Sequence, residues 1–157
     1  MFSFPRNFPH SGDIMFIGEY NHTIDAKNRL IIPSKFREVL GDAFMVSRGL
    51  DECLYIFEQS EWDVFEGKIK KLPLSDKKAR RFGRFLLAGA ACVEVDKQGR
   101  ILLPSSLVEF AGLQKDVVLL GVGSRIEIWS REKLDEELEA EDMDSIAEHM
   151  AELGVGI

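Results

Sequence analysis

Little in this chain of 157 residues supports enzymatic or metal chemistry. Its two cysteines, Cys53 and Cys92, form no metal or redox spacing, and each falls in a strand-like run. The reading is a reduced chain with two free thiols rather than a disulfide. The three histidines, His10, His22 and His149, are far apart and lack ligand partners at metal spacing. There is no Walker loop, no HExxH and no GxSxG. Gly121-Val122-Gly123 begins like a nucleotide loop but lacks the third glycine, and it reads as a hairpin turn. No apolar run approaches the roughly 18 residues that span a bilayer. Residues 1–14 lack the basic start, apolar core and cleavage site of a signal peptide and read as a disordered extension. Met15 opens the repeat-like segment and is a candidate natural start. These absences leave a chain that is not an enzyme, needs no cofactor or metal and has no membrane partner.

Positive charge is also scarce: 20 bases stand against 27 acids, a net of −7. The deficit is local. Residues 131–157 hold ten acids and two bases, a net of −8, so the first 130 residues are close to +1. Within them, Lys68 to Arg84 carries eight bases against Asp76 alone. The acidity belongs to the tail, and the body remains open to an anionic partner.

What is present is a duplication. Asp25-Ala26-Lys27-Asn28-Arg29 leads into Leu30-Ile31-Ile32 and Pro33-Ser34, and Asp96-Lys97-Gln98-Gly99-Arg100 leads into Ile101-Leu102-Leu103 and Pro104-Ser105, 71 residues later. Gly18, Glu38 and Gly41 find Gly89, Glu109 and Gly112 at the same offset. A unit of about 45 residues buries too little surface to stand alone, so both copies are expected to share one core.

Before each motif, alternation at period two reads as a half-buried strand: Tyr20, His22 and Ile24 on one face, and Ala91, Val93 and Val95 in the second copy. The apolar triplets read as strands covered on both faces. Between them the chain must reverse. Asn28 and Gly99 share one repeat position and are the residue types that best tolerate positive φ. Asp25 and Asp96 can accept hydrogen bonds from the N–H groups just ahead. Each repeat therefore reads as opening with a β-hairpin. Ser34 and Ser105 read as caps of short helices that Gly41 and Gly112 stop. Further strands are expected at 43–47, 54–57, 117–120 and 125–129, with Ser60 and Ser130 capping later helices. Helices are predicted over 60–72 and 75–87, the second turning Ala79, Phe82, Phe85 and Leu86 inward.

An isolated Asp-x-x-x-Arg is a chance-level match, as Asp76 to Arg80 on a helix illustrates. The framed, duplicated form is specific. Together with Arg81-Phe82-Gly83-Arg84-Phe85-Leu86-Leu87-Ala88-Gly89-Ala90 and Arg100-Ile101-Leu102-Leu103-Pro104, it resembles the MraZ family over Met15 to Leu138. These are bacterial DNA-binding regulators of the division and cell-wall gene cluster. The first copy departs from the pattern in having Asn28 where glycine is usual.

The resemblance implies an α+β, β-rich fold of two tandem AbrB-like swapped-hairpin modules sharing one pseudo-twofold β-barrel core, with flanking helices. The division would be repeat 1 over 19–66, a basic connecting helix over 67–89, repeat 2 over 90–133 and an acidic tail over 134–157. It implies a cytoplasmic, nucleoid-associated homo-oligomer, a ring, that binds repeated operator sites on double-stranded DNA and represses its own operon. Arg29 and Arg100 would contact DNA, with Lys27, Asn28, Lys97 and Gln98 beside them; Asp25, Asp96 and Gly99 would build the turns. A guanidinium can clamp a phosphate or pair bidentately with guanine, and a two-stranded ribbon fits the major groove. Each arginine can equally pair with its own aspartate and pin the turn. The basic helix reads as extra phosphate contacts, or as a solvated face or subunit interface matched to the tail. A second class of function is an antitoxin-like interaction module using the acidic tail.

Overall fold

The strands of the two repeats are exchanged. In the computed structural model, which describes residues 14–157, β1 (Phe16–Thr23) pairs antiparallel with β7 (Asp116–Gly123) of the second repeat. In return, β5 (Ala91–Glu94) of the second repeat pairs with β3 (Ala43–Arg48) of the first. β4 (Leu54–Phe57) and β8 (Ile126–Ser130) join the two halves, giving a six-stranded antiparallel sheet of order β1-β7-β8-β4-β3-β5. Replacing each strand by its counterpart in the other repeat reverses this order and leaves it unchanged. β2 (Arg29–Ile31) and β6 (Arg100–Leu102) form a separate antiparallel ribbon, linked to β1 by a single bridge between Ile24 and Leu30. The fold is α+β and strand-rich, with six α-helices among the described residues. Backbone pairing is divided between sheet and ribbon rather than closed into one continuous barrel.

Alternation along the central strands explains why the sheet is covered on both sides. Leu54 and Ile56 of β4, Val117 and Leu119 of β7, and Ile126 and Ile128 of β8 face one core. The ribbon's Leu30 and Ile101 close that core, together with α1 (Ser34–Leu40) through Phe36 and Leu40 and α4 (Ser105–Ala111) through Leu107 and Ala111. Tyr55 and Phe57, Val118 and Trp129 face the opposite side. There Trp62 of α2 (Gln59–Lys70) and Leu134 of α5 (Arg131–Glu139) cover them. Neither repeat has a complete core, as its size requires.

Several local expectations change. The apolar triplets are covered on one face only. Leu30, Ile32, Ile101 and Leu103 are buried, but Ile31 is 42% and Leu102 62% exposed. The opening hairpins are turns whose arms diverge after the closing contact, because each arm finds a longer partner in the other repeat. Ser34 and Ser105 are the first helical residues and cap nothing. Pro33 and Pro104 hold the N-cap positions, and their carbonyls accept the first helical N–H bonds. Gly41 and Gly112 end these helices at positive φ, as expected. Ser130 caps α5, but α2 is capped by the Glu58 carboxylate, which accepts from the Ser60 N–H.

The predicted 75–87 helix divides into α3 (Lys77–Gly83), capped by Asp76, and a π-helical segment, Arg84–Ala88. Of its four supposed inward residues, Leu86 alone is fully buried, and Phe82 is exposed. The tail holds α5 and α6 (Met143–Glu152), so α5 crosses the 133/134 boundary. Ile14 packs against the first core; the rest of the supposed disordered extension lies outside the described residues. Both thiols are free, Cys53 buried and Cys92 exposed.

Candidate nucleic-acid interface

Each duplicated turn is built by one carboxylate. Asp25 Oδ1 accepts from the N–H groups of Lys27 and Arg29, both at 2.9 Å, and Oδ2 accepts from Arg29 Nε at 2.7 Å. Asp96 repeats the arrangement with Gln98, Arg100 and Arg100 Nε, each at 2.9 Å. The backbone closes the same loop twice: Asp25 N–H to Arg29 C=O at 3.1 Å, and Asp96 N–H to Arg100 C=O at 2.8 Å. The reversal needs a left-handed residue, supplied by Asn28 at φ 63° and Gly99 at φ 79°. The N–H groups aimed at Asp25 and Asp96, above all those of Arg29 and Arg100, hold both carboxyls below the usual range.

The turns also hold one another. The Asn28 carbonyl accepts from the Leu103 N–H, and the Gly99 carbonyl from the Ile32 N–H, both at 2.9 Å. Cross-strand register sets Arg29 opposite Leu102 and Ile31 opposite Arg100. Since Leu30 and Ile101 point into the core, these four side chains share the outward face of the ribbon. Two arginines therefore stand diagonally about 7–8 Å apart at Cα, with two exposed aliphatic side chains between them.

The two readings of the arginines are geometrically compatible. Nε is used by the aspartate, and the Nη groups of Arg29 and Arg100 make no hydrogen bond among the described residues. The side chains are 34% and 25% exposed, oriented at the stem and open at the tip. Lys27, Lys97 and Gln98 are exposed on the same turns, and Asn28 is half-buried.

Sequence reasoning missed Arg37. Its Nε donates to the Ile32 carbonyl at 2.9 Å, and its guanidinium lies directly over Gly99, where an added Cβ would meet Cζ at 3.0 Å. The equivalent position of the second repeat, at offset 71, is Val108. This loss of a charged side chain between the copies was the available signal. The basic stretch is not part of the ribbon: α2 covers the opposite face of the sheet. Asp76 to Arg80 forms no turn of this kind; Asp76 caps α3 and Arg80 Nη1 reaches the Leu74 carbonyl. Among the described residues no three His, Cys, Asp or Glu side chains could jointly hold a metal, and no helix is long and apolar enough to cross a membrane.

Comparison with known proteins agrees with the duplication. The family model "MraZ protein, putative antitoxin-like" matches twice, over residues 15–85 and 86–153. The transcriptional regulator MraZ of Clostridium tetani (strain Massachusetts / E88) is 56% identical over 142 residues, covering 90% of this chain and all of that protein. The proteins of the same name from Acetivibrio thermocellus and Caldicellulosiruptor bescii are 54% and 53% identical, again over 90% of this chain and their whole length. The chain belongs to the MraZ family.

Proposed function

We propose that this chain is a sequence-specific DNA-binding transcriptional regulator. It acts as a repressor of its own division and cell-wall operon, and the outward face of the β2–β6 ribbon is its reading surface. The observation that carries this is the paired turn. Two arginines, each aimed by its own aspartate and each with free Nη donors, share one ribbon narrow enough for a major groove. Guanidinium groups suit guanine O6 and N7 or a phosphate, and the exposed Ile31 and Leu102 suit thymine methyl groups. Lys27 and Lys97 add phosphate contacts, and Asn28 and Gln98 line the turn tips. The AbrB-like swapped-hairpin description fits the exchange of strands between repeats. The names of the relatives support regulation over catalysis.

One copy offers few cations, so its affinity is modest and falls with salt. A homo-oligomeric ring on repeated operator sites compensates through effective concentration. The proposed setting is cytoplasmic and nucleoid-associated.

The test is fluorescence-anisotropy titration of the chain's own upstream DNA with Arg29→Ala/Arg100→Ala. At about 1–3 kcal/mol for each bidentate contact, the double variant loses roughly 10²–10⁴-fold in affinity while its circular dichroism and assembly mass stay unchanged. Wild-type affinity and salt slope in the double variant would overturn the model. An antitoxin-like module would instead co-purify with an unrelated protein that is lost on deleting residues 141–157.

A further inference from the structure

Two surfaces outside the ribbon are left incompletely covered, and they are complementary. The first is a groove of about 440 Å³ between the end of α2 and α3. Ile69, Leu72, Leu74 and Leu87 make its apolar lining, and Arg80 and Arg84 stand at its edge. Leu74 is 84% exposed, an unusual position for a leucine beside other apolar side chains. This groove sits in the stretch with eight bases and one acid.

The second surface is α6. Met143, Ile146, Ala147 and Met150 recur at i, i+3, i+4 and i+7, the spacing of a core-facing stripe. Yet Met143 is 60% exposed, Ile146, Ala147 and Met150 are only half-buried, and no residue of α6 lines the groove of its own chain. Asp144, Glu148 and Glu152 occupy another face of the helix, in the segment of net charge −8.

We propose that α6 of one copy seats its apolar stripe in the α2–α3 groove of a neighbouring copy. The inference deepens the oligomeric part of the function proposed above and names its contact. Opposite charge selects the match: an acidic helix is drawn to a groove edged by arginines, and a second acidic tail is repelled from the first. Each copy carries both halves, so the contact is head-to-tail. It propagates from copy to copy and closes into a ring when the rotation permits. The helix-in-groove mode uses anchors at this same spacing. The basic stretch is then matched by the tail, which leaves DNA to the ribbon on the other side of the sheet.

Full-length Leu74→Cys and Met150→Cys proteins, both in a Cys92→Ser background, provide the test. Burial pushes the remaining Cys53 thiol up to about 12, which keeps it from competing. Co-expressed and mildly oxidised, the two proteins are expected to give a disulfide-linked pair at least tenfold above either protein alone. Placing both cysteines on one chain should give linked multimers. Linkage confined to single chains, or no linkage, would overturn the proposal. As an independent measurement, deleting residues 141–157 is expected to reduce the number of copies per assembly found by sedimentation, and an unchanged copy number would also overturn it. Operator binding followed on the same proteins separates the two ideas. Linkage without DNA binding sinks the DNA reading alone, and DNA binding with assembly but no linkage sinks the docking contact alone.

Discussion

The first turn reaches with asparagine the backbone conformation that the second reaches with glycine, and the surroundings of the two explain the difference. Both carry the same aspartate hydrogen bonds, to within 0.2 Å, and the same reciprocal bond to the other repeat. Gly99, however, is buried under the Arg37 guanidinium, whereas Asn28 is half-exposed and the position equivalent to Arg37 in the other repeat is Val108. Duplication has preserved the turn, and substitutions in and beside it, Arg37 against Val108 among them, have made the two copies chemically unequal. Geometry is the part the two turns share, and cation content is the part in which they differ.

The largest expected effect tests the backbone side of this comparison. Gly99→Ala places a Cβ at φ 79° and within 3.0 Å of Arg37 Cζ. A left-handed non-glycine residue costs about 1–2 kcal/mol, and displacing the guanidinium adds to it. Asn28→Gly should change stability by only a few tenths of a kcal/mol, because asparagine already tolerates this conformation. Paired urea melts give both numbers. Equal effects at the two positions would mean that the turns are equivalent after all.

A smaller effect tests the chemical side. Arg37→Met keeps an unbranched stem over Gly99 and removes the charge. If the Arg37 Nη groups reach a phosphate, affinity falls by a similar factor on operator and unrelated DNA, and the salt slope drops by about one unit. Arg100→Ala should instead relax preference at particular operator positions. A variant that binds with the wild-type salt slope would reduce Arg37 to a structural cover for Gly99.

How much of this is legible in the sequence depends on the range of the interaction. The turns are written within five residues each: an aspartate, a positive-φ residue and an arginine reproduce the observed hydrogen bonds almost completely. The strand partners are not, because β1 could close on β2 locally, and only the longer match with β7, nearly 100 residues away, decides otherwise. The triplet Leu30-Ile31-Ile32 shows the same limit. Three apolar residues in a row do not say which is outward, and the exposed Ile31 becomes visible once the ribbon's register with Arg100 is known. Ser34 and Ser105 misled for a local reason, since Pro33 and Pro104 hold the N-cap positions and each serine is already the first residue inside its helix. Arg37 was legible as a departure from the repeat, but its contact with Gly99 exists only after the helix of one repeat has packed on the turn of the other.

The smallest effect concerns the feature the two turns share. Asp25 and Asp96 both have folded-state carboxyl pKa values held below the ordinary one. A depressed folded pKa means that the unfolded chain takes up protons first as the pH falls. The stabilisation is therefore fully present above the unfolded value, near pH 3.9, and is lost as pH drops through the lower folded values. Both carboxylates face solvent, so screening keeps the contribution small. Asp25→Asn and Asp96→Asn should each lower the melting temperature at pH 7. The gap to wild type should close on acidification through pH 4 and below, by the same amount at both turns, since the same donors surround both carboxylates. Thermal melts between pH 7 and pH 3 read this directly. A gap that persists at pH 3 would assign the cost to altered turn geometry rather than to lost charge, and unequal gaps would extend the inequality of the turns from Arg37 to the aspartates themselves.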